Sequence, residues 1–292
     1  MKQRTAVVSF VLIISLTAFL GAGLASRCRA WWGGGHDVFT RTAVAKLPDD
    51  VPAFFRQAAD ELAEMSTEPD NWKHASAPHL KATEQPEHYI DLEYLEGQPI
   101  PTQRAELLKY YFAKHIDPSK GGFLPHAIQE GYERLLLSFR EYRSQPDSKP
   151  LQHRTIVYAG WLAHYCQDAA MPLHTTKDFD GKPDANGVLQ QKGIHPKIDS
   201  YPEQQGFTPE VLGKDLVPEA SADVWPLVVK TIMTSNGLVQ RCYELDAQGA
   251  FDKDPDKGKE LMLERGRAAV KLTLDIWYSA WKNSSTEPPA KK

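Results

Sequence analysis

The chain has 292 residues, of which 41% are hydrophobic and 25% are charged, and its formal net charge at pH 7 is −4. This composition suits one or two globular domains with a sizeable buried core. The negative charge argues against the basic face that tight binding of long duplex DNA usually needs, but it leaves open a local phosphate site built on metal ions.

The first 30 residues have the pattern of a secretory signal peptide. Lys2 and Arg4 precede an apolar run over residues 6–25, and small residues occupy the −3 and −1 positions of a cut after Ala30. We therefore expect an exported protein, periplasmic or extracellular, whose mature chain begins at Trp31. The alternative is a retained membrane anchor, because the run is about long enough to span a bilayer.

Helical periodicity dominates the rest of the chain, and strand alternation is limited to residues 87–95. Thr102 is predicted to cap the third helix, and the most apolar helix, 152–171, is expected to be the central buried one. One all-α domain is predicted over residues 31–282, followed by a disordered tail at 283–292. The predicted helices are 36–47, 51–65, 101–116, 124–145, 152–171, 219–245 and 258–282, and the predicted loops are 67–86, 117–125, 144–150 and 178–218.

Two cysteines, Cys166 and Cys242, remain after the expected processing. In an exported protein they either pair in a disulfide or stay as two buried free thiols, and the sequence leaves both alternatives open. Neither lies at zinc-finger spacing. Any metal ion would therefore be held by nitrogen and oxygen ligands.

The segment LAHYCQDAAMPLHTT, residues 162–176, places two histidines and an aspartate in an otherwise apolar run. His164 and Asp168 are four residues apart on a predicted helix, so both side chains can reach one point. His174 follows just beyond Pro172. The alternative is a pair of buried histidines satisfied by hydrogen bonds.

The same spacing recurs at His195 and Asp199, in a segment rich in Gly and Pro that is expected to be a loop. Imidazole and carboxylate ligands suit zinc, with iron or manganese as alternatives. Two such pairs in one chain, with His174 between them, favour a metal centre.

Further candidates lie upstream. The expected mature chain begins WWGGGHDVFT, and its three glycines allow a tight turn that would bring His36 back toward the amino group of Trp31. An α-amino group has a pKa of roughly 7.7–8.0, so it can lose its proton and act as a ligand. The alternative is a flexible tail before a helix-starting histidine. Asp70 and His88, on either side of a loop, complete the set.

In this order the residues resemble the zinc-dependent phospholipase C / S1–P1 nuclease family. The pattern is an N-terminal Trp with a nearby His, an Asp, a His, then His-x3-Asp-x5-His and His-x3-Asp, and it extends over almost the whole expected mature chain. The resemblance implies a mainly helical single domain with long loops around a cleft that holds three zinc ions.

The resemblance also implies a ligand set for each ion. The first two ions would share Asp168, and the third would lie farther away. The implied ligands are Asp70, His88, His164 and Asp168 for the first ion; the amino nitrogen and carbonyl oxygen of Trp31, with His36 and Asp168, for the second; and His174, His195 and Asp199 for the third.

The implied reaction is hydrolysis of P–O ester bonds by a hydroxide held between two of the ions, whose charge lowers the pKa of bound water toward neutrality. Asp168, Asp70 and Lys73 are assigned to catalysis, the two aspartates as metal ligands and the lysine as a contact to the substrate. Lys73 lies where the nucleases carry a basic phosphate contact, with a plain surface lysine as the alternative. A Gly-x-Ser-x-Gly nucleophile elbow does not occur in the sequence.

The short spacing from Trp31 to His36, and an aspartate at position 199, favour the nuclease branch, which acts on single-stranded DNA or RNA. Tyr89 could stack on a base, an interaction of about 1–3 kcal/mol, and Asp91 could accept a hydrogen bond from an exocyclic amine. Structural packing is the alternative for both residues. Against the nuclease branch, the extra cysteines of the fungal and plant enzymes are missing.

Phospholipase C, acting on phospholipid head groups, is the alternative enzyme. An alternative of another class is a non-catalytic metal-binding surface module. No stable protein partner is evident, and a monomer is expected.

Overall fold

The computed structural model describes Trp31 and residues 33–285. These residues are mainly helical, which confirms the all-α fold class. Their regular strands are two residues long, β1 (Lys182–Pro183) and β2 (Leu189–Gln190), and pair as an antiparallel hairpin. The α-helices are α1 (Gly33–Ala45), α2 (Ala53–Arg56), α3 (Ala59–Trp72), α4 (Pro78–Glu84), α5 (Arg104–Ala113), α6 (Pro118–Gly121), α7 (Leu124–Ser144), α8 (Lys149–Asp168), α9 (Ile194–Gln204), α10 (Pro209–Leu212), α11 (Trp225–Asn236), α12 (Val239–Ala247) and α13 (Lys259–Asn283).

Four short 3₁₀ helices lie between these elements: Gln85–His88, Leu92–Leu95, Pro172–Thr175 and Pro255–Lys257. The predicted signal peptide and all but the first three residues of the predicted tail lie outside the described residues. None of the helices in the described part of the chain is both long and apolar enough to span a membrane.

Helix α8 lies at the centre of the fold, as its apolar sequence predicted. Pro150 falls in its first turn, where the missing N–H leaves no intrahelical hydrogen bond unmade. The helix packs against α3, α7 and α13. At Gly160 the approach to α3 is so close that an added Cβ would lie 2.3 Å from Met65 Cβ. This close crossing brings residues of α3 and α8 into one site.

Several boundaries differ from the predictions. Residues 51–65 form two helices, α2 and α3, and α3 continues through Pro69 to Trp72 into the predicted loop 67–86. Packing of α3 against α1 and α8 holds the helix together despite the lost N–H of Pro69. The segment predicted over 219–245 divides at Gly237 into α11 and α12.

Two local predictions are wrong. Helix α5 begins at Arg104 after Gln103, so Thr102 lies one residue too early to cap it. Residues 87–95 do not form a strand, because only Ile90 makes a bridge, to Gly122, and the residues on either side curl into the 3₁₀ helices. This short extended link carries His88 toward the centre of the molecule.

Cys166 and Cys242 are both buried and both free. Of the two alternatives that the sequence leaves open, the structure therefore has two separate thiols. Burial raises the pKa of Cys242 to about 12 and that of Cys166 well above its usual value, so both stay protonated.

Candidate metal centre

Six elements deliver histidines and aspartates to one buried region: α1, α3, the 3₁₀ helix Gln85–His88, α8, the 3₁₀ helix Pro172–Thr175 and α9. All eight side chains predicted as ligands lie in this region, and all are buried. Within each of three groups, the potential ligand atoms lie within 4.8 Å of one another: His36, His164 and Asp168; Asp70, His88 and His164; and His174, His195 and Asp199.

Asp168 lies between these groups, and its two oxygens face different histidines. Oδ2 is 3.1 Å from His88 Nδ1 and 3.3 Å from His164 Nε2. Oδ1 is 3.4 Å from His174 Nδ1 and 3.7 Å from His36 Nε2. A carboxylate placed in this way can serve two cations at once, one through each oxygen.

Two of the histidines are oriented by partners on their other ring nitrogen. His164 Nδ1 donates to the backbone carbonyl of Ser66 at 2.8 Å, and His36 Nδ1 donates to Gln167 Oε1 at 2.6 Å. Gln167 Nε2 donates to Thr40 Oγ1 at 2.9 Å, which fixes Oε1 as the acceptor for His36. Both imidazoles therefore present an unprotonated Nε2 to the centre, as metal-binding histidines do.

The sequence did not predict Gln167 and Ser66. The signal for Gln167 was present, because it is a polar residue directly before Asp168 in the buried half of an apolar helix. The contribution of Ser66 is a backbone carbonyl, which no side-chain pattern can indicate.

Asp70 has a cationic neighbour within the centre. Lys73 Nζ lies 2.6 Å from Asp70 Oδ1 and 3.5 Å from His88 Nδ1. Burial alone would raise the pKa of Asp70, but the Lys73 ammonium and the nearby histidines outweigh it and hold this pKa below its usual value. The Lys73 side chain is only 15% exposed, so it does not fit the alternative of a plain surface lysine.

The third group is arranged around two histidines in contact. His174 Nε2 and His195 Nε2 are 3.0 Å apart, and His195 Nε2 is 3.1 Å from Asp199 Oδ2. At this distance the two ring nitrogens either form a hydrogen bond, with one of them protonated, or face a shared cation.

His195 and Asp199 lie on α9, not in the predicted loop. Gly193 precedes the helix with φ +89°, a conformation that glycine adopts easily. Asp180 Oδ1 accepts hydrogen bonds from the backbone N–H groups of Gly193 at 2.8 Å and His195 at 3.3 Å. Pro196 falls in the first turn, where a helix tolerates proline. The Gly and Pro residues that indicated a loop are thus the start of a helix.

Burial keeps the histidines neutral. It lowers the pKa of His36 and of His164 to about 4 and that of His195 to about 3. It also lowers the pKa values of His88 and His174 well below the usual value. Neutral imidazole is the form that binds a metal ion.

The carboxyls point to the same conclusion. Burial raises the pKa values of Asp168 and Asp199 well above the usual range, because their charge has too little compensation. Asp168 Oδ1 and His174 Nδ1 are buried, and neither has a hydrogen-bond partner in the described part of the chain. Buried charges in proteins are paired or coordinate metals. Nitrogen and oxygen donors of this kind fit zinc.

Trp31 lies against the same centre. Its indole Nε1 donates to the Gln167 carbonyl at 3.0 Å, and its ring meets Phe39 edge-on with centroids 5.3 Å apart. Its backbone N–H faces the Asp199 carboxylate. This N–H lowers the pKa of Asp199 and so partly offsets the effect of burial. The first residue of the expected mature chain is therefore packed beside the predicted ligands, and its role as a ligand stays a prediction.

The residues predicted to hold a base are less accessible. The Tyr89 hydroxyl donates to the Ser119 carbonyl, and its ring is partly buried. Asp91 is 7% exposed, and burial, with Glu93 and Asp178, raises its pKa to about 8. Tyr89 thus has a structural contact, and the roles of both residues toward a substrate stay predictions.

No protein-family model matches the chain, and no curated protein matches it in sequence. Among solved structures, alpha toxin from Clostridium absonum is similar with a TM-score of 0.51 and 13% identity. A Clostridium perfringens alpha-toxin from avian strain SWCP has a TM-score of 0.48 and 14% identity. Both alignments cover 89% of this chain and 65% of the other, so the chain spans less than two thirds of these toxins.

At 13% identity the likeness to the Clostridium absonum toxin shows the fold alone. The chain therefore shares its mainly helical fold with that toxin. The His/Asp groups that could hold metal ions are a property of this chain's own residues.

Proposed function

We propose that the protein is an exported, zinc-dependent phosphodiesterase that acts on single-stranded nucleic acid. The observation that carries this proposal is the position of Asp168, whose two oxygens face different histidines at 3.1–3.7 Å. The catalytic domain would comprise residues 31–282, released by removal of residues 1–30.

The residues would divide among three zinc ions as the family resemblance implies. Bound zinc would supply an activated water at neutral pH and positive charge for the phosphoryl group. The ligands would be Asp70, His88, His164 and Asp168 for one ion; Trp31, His36 and Asp168 for the second; and His174, His195 and Asp199 for the third.

The protein's other residues would bind and orient the substrate. Lys73 carries an ammonium group into the centre, where it would pair with a phosphate oxygen as a charge-assisted contact. Asp91, with a pKa of about 8, would be largely protonated at neutral pH and could then donate a hydrogen bond to a base as well as accept one. Tyr89 would support the base through its ring, while its hydroxyl stays bound to Ser119.

A hydrolysis panel tests the proposal. The purified, processed protein should cleave single-stranded DNA and RNA faster than duplex DNA and faster than phosphatidylcholine. A chelator should abolish this activity, and zinc should restore it. Faster hydrolysis of phosphatidylcholine would replace the nuclease by the phospholipase C alternative, and hydrolysis of neither substrate would favour a metal-binding module.

One observation favours phospholipase C as the second candidate. Phe179, just before the β1–β2 hairpin, and Val188 and Leu189 within it are 47–56% exposed, and the Phe179 ring lies 5.6 Å from that of His195. An apolar surface beside the third group is a feature that a lipid substrate could use. Phe179→Ser should then slow hydrolysis of phosphatidylcholine vesicles more than hydrolysis of a short soluble phosphodiester.

A variant with an extended N-terminus tests whether the amino group of Trp31 is a metal ligand. One additional residue before Trp31 would displace the amino group that is proposed as a ligand. Turnover should fall strongly and zinc content should fall by one ion per chain, while an added residue at the C-terminus should change neither. Unchanged turnover would rule out the amino group as a ligand.

A further inference from the structure

A groove of about 720 Å³ lies beside the metal centre. One wall is the segment around residues 92–100, and the other is one face of α11 along its whole length, from Trp225 to Asn236. We call it the Trp225 groove. Its lining is largely apolar, and the residues that matter here are Leu92, Ile100, Trp225, Val229, Lys230 and Met233.

The two walls are held together by His126. Its Nε2 donates to the Pro101 carbonyl at 2.9 Å, and its ring packs against Trp225 with centroids 5.3 Å apart. Burial lowers the pKa of His126 to about 4, so it is neutral in this position. The groove is thus a fixed feature of the fold, with one face of the Trp225 ring supported from behind.

The residues directly after His174 are hydrogen-bonded to both walls of the groove. Glu93, in one wall, accepts hydrogen bonds from Thr176 Oγ1 and from the Lys177 N–H. Asn236, in the other wall, donates to the Thr175 carbonyl at 2.9 Å. The groove is therefore separated from His174 by one short segment, residues 175–177, which is in contact with both of its walls.

The charges of the groove indicate what it binds. Glu93 is engaged by Thr176 and Lys177, whereas Lys230 makes no hydrogen bond or ion pair with any residue that the structure describes. A hydrocarbon chain would use the apolar lining and leave Lys230 without a role. A nucleotide uses both, because it has an apolar base face and an anionic phosphate.

We propose that the Trp225 groove binds the nucleotide next to the scissile phosphate, with the base stacked on Trp225 and its phosphate paired with Lys230. This inference rests on the proposed nuclease activity. The groove would make the enzyme prefer oligonucleotides over dinucleotides. A dinucleotide has a single phosphodiester, which lies at the metal centre, so no phosphate of a dinucleotide reaches Lys230.

The Lys230→Ala variant tests the phosphate contact. For a single-stranded tetranucleotide, kcat/KM should fall about three- to tenfold, and the slope of log kcat/KM against log salt should lessen by about 0.7, the value for one phosphate contact on a single strand. For a dinucleotide, kcat/KM should stay within about twofold. Lys259→Ala, an exposed lysine outside the groove, is the matched control and should change neither substrate.

The Trp225→Phe and Trp225→Ala variants test stacking. Loss of the ring in Trp225→Ala should lower kcat/KM for the tetranucleotide about five- to hundredfold, and Trp225→Phe should retain most of it. A binding measurement avoids dependence on activity. A tetranucleotide with non-hydrolysable linkages should quench the tryptophan fluorescence of the zinc-loaded protein, and Trp225→Phe should remove that quenching.

The outcomes separate this inference from the proposed function. If the wild type cleaves both oligonucleotides and Lys230→Ala affects them equally, the groove assignment is wrong and the nuclease proposal stands. If Trp225→Ala instead slows hydrolysis of phosphatidylcholine alone, the groove holds an acyl chain. If the wild type cleaves no oligonucleotide, both proposals fail. Because Trp225→Ala removes packing against His126, Lys230→Ala and Met233→Ala decide the matter if that variant does not fold.

Discussion

The two His-x3-Asp pairs of the centre have the same spacing but different surroundings. His164 and Asp168 lie on the central helix α8 and are fully buried. His195 and Asp199 lie on α9 behind a hairpin, where the His195 side chain keeps 11% exposure and its Nδ1 has no hydrogen-bond partner among the residues that the structure describes. The first pair is fixed by core packing, and the second by contacts with a loop. The same motif can therefore build a shared site in one place and a separable site in another.

The largest difference between the pairs should come from their carboxylates. Asp168→Ala removes both oxygens that face the first two groups, so it should lose two zinc ions. Activity should fall by more than the ~10–100-fold that the loss of an outer hydrogen-bond partner costs. Elemental analysis and single-strand hydrolysis measure both effects. Asp199→Ala is the comparison and should lose one ion, and full zinc content in Asp168→Ala would contradict a bridging carboxylate.

A separate variant tests whether the third group binds its ion independently of the other two groups. His174→Ala should remove one zinc ion and leave the other two, because His174 contributes to only one of the three groups. Zinc content per chain measures this result. Loss of all three ions would show that His174 Nδ1, 3.4 Å from Asp168 Oδ1, is needed by the shared site as well.

A smaller effect is expected from Gln167, which orients His36 beside the His164–Asp168 pair. No corresponding residue orients His195 in the described part of the chain. Gln167→Ala should weaken binding of the second zinc ion by about 10–100-fold, since His36 Nδ1 loses its acceptor. Competition with a chelator gives this affinity. Gln152→Ala, on the exposed face of the same helix, is the control. Equal affinities of the two variants for the second zinc ion would rule out a role for Gln167 in binding that ion.

The smallest effect is expected from the start of α9. Asp180→Ala removes the acceptor for two backbone N–H groups, a loss of about 0.5–2 kcal/mol for helix caps. Affinity for the third ion should fall less than about tenfold, with the first two ions unaffected. Asp184→Ala is the control, because its carboxylate accepts hydrogen bonds from Asn186 and Val188 within the hairpin. Weakening of all three ions would contradict a local role.

The same contrast explains what the sequence could predict. Helix α8 follows from apolar periodicity, and the fourfold spacing of His164 and Asp168 then places both on one face. Helix α9 depends on Asp180, which lies 13 residues before Gly193 and has no local signal as a cap. The convergence of Asp70 and His88 on α8 is long-range packing, and only the family resemblance indicated it.

The predictions that were wrong or missing have long-range causes of the same kind. Residues 87–95 alternate like a strand, but their only bridging partner is Gly122, so no sheet can form. Gln167 was missed because its role depends on Thr40 and His36, which are more than 120 residues away.

Zinc content measured together with activity tests the metal centre most directly. The processed protein, beginning at Trp31, should contain about three zinc ions per chain, one for each His/Asp group, and should lose single-strand hydrolysis as they are removed. A metal-free preparation that retains full hydrolytic activity would contradict a catalytic role for these residues.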